Sequence, residues 1–354
     1  MTNLERLQTT GIRRLGKPER GFHYRSLNGG SVTKSDLQRI RELRIPPAWA
    51  NVAINSATNG RLQAIGQDAA GRWQYLYHEN HNRAREAKKF RRLVKFATAL
   101  PKLRAAISRD LRKPGLSRER VLATVLRILS SCSMRPGSEV YASENGSYGI
   151  ATLRRNHIKI KGDGIYFDFP GKSGVRQQRE LHDRRIAKVI RSLLKQPGKR
   201  VFQFENENGQ LVDVTSRHIN QYIKEVMGES FSAKDFRTWA GTLICAFSLA
   251  TAGTDETEKL NARKKKIVAA IKQTSEALGN TPAVCKSSYI CPAIISSFEK
   301  GKIVSKCVLS LEAFLKYRGL GLHSAERALV RFLKQSTTTE SRSQPVASSL
   351  PTVH

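Results

Sequence analysis

Five residues lie far apart in the chain, yet each has a side chain suited to chemistry at a phosphodiester. Arg135 follows an apolar helical run and precedes Pro136-Gly137. Lys172 stands in Pro170-Gly-Lys-Ser-Gly174, a strong turn signal. Arg237 lies in Lys234-Asp-Phe-Arg-Thr-Trp239, ahead of a long uncharged stretch. Asn280 is in Gly279-Asn-Thr-Pro282, and Tyr289 is in Ser287-Ser-Tyr-Ile-Cys-Pro292. Guanidinium forks keep their charge and match paired phosphate oxygens. Lysine can deliver a proton, an amide can donate a neutral hydrogen bond, and a tyrosine hydroxyl can attack.

Singly, each has an ordinary structural explanation. Arg135 would complement a helix C-terminus, and Lys172 would be a solvated turn residue. Arg237 would stack or pair within its Trp-containing segment, and Tyr289 would pack. Asn280 would cap a helix beginning at Thr281-Pro282. Gly171-Lys-Ser173 invites comparison with a phosphate loop, but the first glycine of that pattern is missing, which excludes it.

The composition supports a polyanionic partner. The chain has 354 residues, with 62 Lys+Arg against 29 Asp+Glu and a net charge of +33. Such a surplus repels itself unless a polyanion shares it, and nucleic acid is the default. A generally basic protein without a specific partner is the plain alternative. Hydrophobic residues make up 39% of the chain, enough for a core, so wholesale disorder is excluded. The five cysteines form no C-x-x-C pair, which argues against a disulfide framework or zinc knuckle and for a reducing cytosol. No His/Asp/Glu cluster has metal-ligand spacing, so no metal and no cofactor are expected. Met1–Thr10 contains no apolar leader. Thr238–Thr254 is short and broken by Gly, Ser and Thr, as suits a buried core helix better than a membrane span.

These residues need elements to position them. The expected fold class is α+β: a small β-rich N-terminal domain and a larger, mainly α-helical catalytic domain containing a three-stranded β-hairpin sheet. In residues 1–81, Arg20–Ser26 and Arg72–Tyr77 alternate as half-buried strands do. Thr33 with Asp36 offers a cap for a helix through Leu43. Asn82–Phe96 is a strongly basic helical connector. It opens a domain over residues 82–334, where Val121 to Leu129 form an apolar helical face that should end near Arg135-Pro-Gly137. Three strands follow at Ile158–Ile160, Ile165–Phe169 and Val175–Leu181, with helices resuming near Arg185 and Arg217. The Ser/Thr-rich residues 335–354 read as a disordered tail.

Taken together, the order and spacing of the five residues resemble the type IB DNA topoisomerases, in particular the compact poxviral and bacterial form. The resemblance rests on Ser133-Met-Arg-Pro-Gly-Ser-Glu139, Lys234-Asp-Phe-Arg-Thr-Trp239, and Gly279-Asn-Thr-Pro-Ala-Val284 through Tyr289. It covers Gly11 to about Phe332. It implies relaxation of supercoiled duplex DNA by single-strand cleavage and religation. Tyr289 would attack phosphorus, expel the 5′-hydroxyl and form a 3′-phosphotyrosyl intermediate, without ATP or metal. Arg135, Arg237 and Asn280 would stabilise the charged oxygens, and Lys172 would protonate the leaving oxygen. Lys234 would either assist proton transfer or contact a phosphate. Gln74, Tyr75, Tyr77 and Tyr141 match DNA-touching positions, with base edges or backbone as targets; the alternative for Tyr75 and Tyr77 is packing on opposite sides of a strand connection. The resemblance further implies a monomer clamping double-stranded DNA, with no nucleotide cofactor and no membrane. Poxviral members have His where this chain has Asn280, and bacterial relatives commonly have Asn. That suggests a bacterial, cytoplasmic, nucleoid-associated protein. The nearest rival is a tyrosine recombinase, which usually has His-x-x-Arg where this chain has Lys234-x-x-Arg237. It also usually has a helical N-terminal domain. A non-catalytic basic DNA-binding protein is the rival from another class.

Overall fold

The computed structural model describes residues 2–255, 257–304 and 317–342. The chain divides into two compact units, Met1–Phe90 and Arg91–His354, placing the boundary nine residues after the expected 81/82 division.

The first unit contains α1 (Asn3–Thr10), β1 (Ile12–Lys17), β2 (Gly21–Ser26), α2 (Lys34–Glu42), β3 (Ala50–Ile54), β4 (Leu62–Gln67) and β5 (Trp73–Tyr77). The strands form one antiparallel sheet in the order β2-β1-β3-β4-β5, with β5 at an edge. Strand alternation sends Val52 and Ile54 to one face, where they meet Ile12 and Ile40 of α2. Ala53 goes to the other face with Leu62, Ile65 and Leu7 of α1. The expected cap on α2 is present: Thr33 Oγ1 accepts from the Asp36 amide at 3.1 Å, and Asp36 Oδ2 accepts from the Thr33 amide at 3.1 Å. Strands β1, β3 and β4 add to the two expected from the sequence. Strand β4 is buried along almost its whole length and carries a register shift in its pairing with β5, so it shows no alternation.

A long helix, α3 (Glu79–Asp110), carries the chain from the first unit into the second. There follow α4 (Arg118–Cys132), α5 (Glu139–Asn145), β6 (Ile158–Lys161), β7 (Gly164–Pro170), β8 (Arg176–His182) and α6 (Arg184–Leu194). A two-stranded ribbon, β9 (Gln203–Glu205) and β10 (Leu211–Asp213), precedes α7 (Ser216–Met227), α8 (Ala233–Ala252), α9 (Leu260–Leu278), α10 (Pro282–Ser288) and α11 (Pro292–Glu299). Helix α4 is central. Val121, Leu122, Val125, Leu126, Ile128 and Leu129 have no measurable exposure, and the helix packs on α6, α7, α8 and β8. The expected three-stranded sheet is present, in the order β6-β7-β8. The uncharged stretch after Thr238 lies in α8, as a buried helix. A last helix runs over Ser324–Arg342. The helix runs on to Arg342, into the segment expected to be a disordered tail from Gln335. Residues 343–354 lie outside the described residues. Among the described residues, no helix is long and apolar enough to cross a membrane.

Deep in the second unit, the Tyr222 hydroxyl donates to Asp110 Oδ2 at 2.5 Å, while Arg109 Nε reaches Oδ1 at 2.8 Å. Burial pulls the Asp110 carboxyl up, but the hydrogen bonds from Arg109 and Tyr222 outweigh it and hold the group below its ordinary value. A depressed carboxyl stabilises the fold above the unfolded-state pKa, and that contribution disappears as pH falls through the folded value. Tyr222→Phe should therefore cost about 1–3 kcal/mol at neutral pH. In denaturant titrations, the gap between variant and wild type should shrink as the pH is lowered below about 4.

Candidate active site

The site is assembled around α8. Asp235, in its first turn, accepts from the Ser232 amide at 2.8 Å and from Arg92 Nη2 at 2.6 Å, fixing where the helix begins. Two residues later Arg237 points inward, only 2% exposed. A guanidinium so buried must find acceptors for its N–H groups. Nη1 donates to the Ser133 carbonyl and Nη2 to the Leu278 carbonyl at 3.0 Å. These are carbonyls from the C-terminal ends of α4 and α9, groups with no partner inside their own helices. Both chains then turn through left-handed residues, Ser133 at φ 51° and Gly279 at φ 61°. Arg135 comes two residues after Ser133 and Asn280 directly after Gly279, so a single buried cation ties together the two turns that carry them.

The turns also meet through side chains. Arg135 Nη2 donates to the Gly279 carbonyl at 3.1 Å and to Asn280 Oδ1. Burial, then repulsion from Arg237, pushes the Arg135 guanidinium down to about 10; Tyr289 opposes the shift and Arg179 adds to it. The group is still a cation at neutral pH. Because Oδ1 of Asn280 is occupied by Arg135, its Nδ2 faces away. That Nδ2 and the Nε of Arg237 are buried donors with no acceptor. Orphaned donors of this kind cost about 1–3 kcal/mol each and call for an explanation.

Tyr289 ends α10. Thr281 caps this helix, its Oγ1 accepting from the Val284 amide at 3.4 Å, with Pro282 in the first turn. This corrects the ordinary reading of Asn280 as the cap and leaves the Asn280 side chain to Arg135. The Arg237 guanidinium carbon lies 5.0 Å from the centroid of the Tyr289 ring. The tyrosine backbone is held from α8 as well. Thr242 Oγ1 donates to the Tyr289 carbonyl at 3.1 Å and accepts from the Cys291 amide at 3.1 Å. Its neighbour Gly241 leaves room for this approach, since a Cβ there would stand 2.9 Å from the Tyr289 carbonyl oxygen. Sequence reasoning does not find Thr242, because a backbone-bridging hydroxyl leaves no motif.

The structure thus brings Arg135, Arg237, Asn280 and Tyr289 into one contact set. Lys172 is not part of it. It is exposed in the short turn Lys172–Gly174 between β7 and β8, with no hydrogen bond or ion pair among the described residues. Lys234 is exposed in the first turn of α8. In the first unit, Gln74 and Tyr75 lie on the edge strand β5. Gln74 Nε2 donates to Asp68 Oδ2 at 2.9 Å, Tyr75 is 43% exposed, and the Tyr77 ring lies 6.4 Å from that of Tyr75. Tyr141, on α5 of the second unit, is 43% exposed.

A family model described as the catalytic core of eukaryotic DNA topoisomerase I matches residues 78–302, which include all five residues singled out at the start. The chain belongs to the type IB DNA topoisomerases. A second model, the N-terminal domain of bacterial DNA topoisomerase IB, matches residues 21–68. A DNA topoisomerase 1B of Acanthamoeba polyphaga mimivirus is 39% identical, over 79% of this chain and 85% of that protein. DNA topoisomerase 1B of vaccinia virus (strain Copenhagen) and DNA topoisomerase I of monkeypox virus are each 26% identical, over 76% of this chain and 84% of theirs. Family membership makes the chain an isomerase and decides against the recombinase and the non-catalytic binder.

If Thr242 anchors Tyr289 as described, Thr242→Val leaves the Cys291 amide without its acceptor and the Tyr289 carbonyl without its donor. The expected cost is about 1–3 kcal/mol in equilibrium unfolding. A loss well below that range would show that these groups find other partners.

Proposed function

We propose that this protein relaxes supercoiled duplex DNA by transient cleavage of one strand, with Tyr289 as nucleophile and neither ATP nor a metal ion required. The observation that carries this reading is the pair of buried, acceptor-less donors, Asn280 Nδ2 and Arg237 Nε. They lie in a cationic cluster that contacts a half-buried tyrosine. Donors without acceptors, beside two guanidiniums and a phenol, suit a phosphate whose negative charge grows during attack.

In the proposed mechanism the Tyr289 hydroxyl oxygen attacks phosphorus, and the bond from phosphorus to the 5′-oxygen breaks. The products are a 3′-phosphotyrosyl linkage and a 5′-hydroxyl. The linkage retains the energy of the broken phosphodiester, so the reverse attack by the 5′-hydroxyl reseals the strand without a nucleotide. Arg135 and Arg237 neutralise the non-bridging oxygens, and Asn280 adds a neutral donor. Preorganised donors of this kind contribute about 3 kcal/mol each to the transition state. Lys172 protonates the departing 5′-oxygen, and Lys234 either assists that proton transfer or holds a neighbouring phosphate. Gln74, Tyr75, Tyr77 and Tyr141 touch the duplex. The protein acts as a monomer in a bacterial cytoplasm, at the nucleoid. The bacterial assignment is supported by Asn280 and by the bacterial model matched over residues 21–68.

Wild type should relax negatively supercoiled plasmid in EDTA without ATP. Tyr289→Phe should form no covalent adduct yet retain binding to a short duplex. An absolute requirement for Mg²⁺ would overturn the metal-free mechanism, and an adduct in the variant would reassign the nucleophile.

Lys172→Ala should cleave ordinary DNA about 10²–10⁴-fold more slowly, the usual contribution of a general acid. A substrate whose bridging 5′-oxygen is replaced by sulfur should restore it, because a thiolate leaves without protonation. Persistent slowness on that substrate would remove Lys172 from the role.

A further inference from the structure

Among the described residues, Lys172 makes no hydrogen bond to the Arg135–Asn280–Arg237–Tyr289 set, although the proposed reaction needs all five at one phosphate. One buried residue spans the separation. Gln177 lies on β8 opposite Phe169 of β7, at the base of the turn that presents Lys172, and is 7% exposed. Its side chain lies against two glycines from different parts of the site. A Cβ on Gly171, the residue before Lys172, would sit 2.6 Å from Gln177 Cγ. A Cβ on Gly279, the residue before Asn280, would sit 2.4 Å from Gln177 Oε1. At Gly279 the left-handed backbone, φ 61°, disfavours other residues independently. The amide therefore wedges between the two backbones that lead into Lys172 and Asn280.

Its orientation is fixed as well. Oε1 accepts from Arg179 Nη2 at 3.0 Å, and Nε2 donates to the Val175 carbonyl at 3.3 Å, inside the same turn. That carbonyl also accepts from the Gly171 amide at 2.9 Å, so the wedge is bonded to the loop it supports. Arg179 pairs with no carboxylate among the described residues. Its other hydrogen bond goes to the Gln178 carbonyl at 2.8 Å, and Arg237 repels it. The guanidinium that steadies Gln177 thus belongs to the same cationic neighbourhood as Arg237.

We infer that Gln177 is a positioning residue, setting the Lys172 turn at a fixed distance from the Asn280 turn so that proton delivery and charge stabilisation act on one phosphate. The inference rests on the proposed role of Lys172. It differs from a general packing role because its loss should damage mainly the step that needs the proton.

Single-turnover cleavage tests this with two substrates, ordinary duplex and the same duplex with a 5′-bridging sulfur, alongside Lys172→Ala. Gln177→Met keeps the length of the side chain and removes the amide. It should slow cleavage of ordinary DNA roughly 10- to 100-fold, the effect of misplacing a catalytic group by about 1 Å. It should come within about threefold of wild type on the sulfur substrate, which needs no proton donor. Gly171→Ala, whose added methyl displaces the same wedge, should share that pattern. DNA affinity and melting temperature identify any variant that has failed to fold. If Lys172→Ala is rescued by sulfur but folded Gln177→Met and Gly171→Ala are equally slow on both substrates, or not slowed at all, the positioning role is wrong and the acid stands. If Lys172→Ala is itself not rescued, the acid assignment fails and the inference fails with it.

Discussion

The site depends on one buried guanidinium. Placing Arg237 in the protein interior is costly unless its donors are met. The acceptors it finds are carbonyls at the ends of α4 and α9. Helix C-termini carry partial negative charge and unpaired carbonyls, so the cation and the two helix ends satisfy one another. Everything else at the site is attached to those ends. Arg135 lies two residues beyond Ser133, Asn280 lies two beyond Leu278, and the Tyr289 ring rests against the guanidinium itself. Moving any of these helix ends would leave a buried charge without partners, which explains how short turns from distant parts of the chain keep a common geometry.

The distribution of carboxylates matters as much as that of the arginines. Asp110, Asp235 and Glu326 are the most deeply buried acids of the second unit. Each binds an arginine outside the contact set: Arg109, Arg92 and Arg104 respectively. No carboxylate is bonded to Arg135, Arg179 or Arg237 among the described residues. Burial first, and then mutual repulsion with Arg237 and Arg179, depresses Arg135. A carboxylate there would relieve the repulsion and also compete with a phosphate for the same donors. Leaving the cluster uncompensated stores a demand for an anion where the proposed chemistry supplies one, at some cost to stability.

Much of this is legible in the sequence, for identifiable reasons. Helix α2 declares itself through the Thr33–Asp36 cap, and α4 through its apolar run. The β6-β7-β8 sheet is marked by glycine turns. Each signal is local, which is why the amino-acid order alone locates these elements. Strands β3 and β4 give no such signal, because burial on both faces removes the alternation a half-buried strand shows. The helix beyond Gln335 is masked by Ser and Thr, which favour caps and turns in isolation. At the site, the motif residues are legible because chemistry restricts their type. Thr242 and Gln177 are not, because each acts on backbone groups brought near only by folding.

The separation between Lys172 and the buried set has a physical logic on the proposed mechanism. Charge stabilisation benefits from a dry, rigid environment, where guanidiniums are held by carbonyls and little reorganisation is needed. Proton delivery has a different requirement, because the donor must reach an oxygen that is itself departing. A lysine on an exposed hairpin turn can meet that requirement only if the turn is referenced to the rigid set. The β7–β8 ladder fixes the hairpin along one direction, through pairs from Gly164–His182 to Pro170–Arg176. The Gln177 wedge against Gly279 supplies a second constraint, out of the face of the sheet, from the neighbourhood of Asn280 itself. Two constraints along different directions place a turn far more closely than either alone. An exposed residue can then work beside a buried cluster without being buried with it.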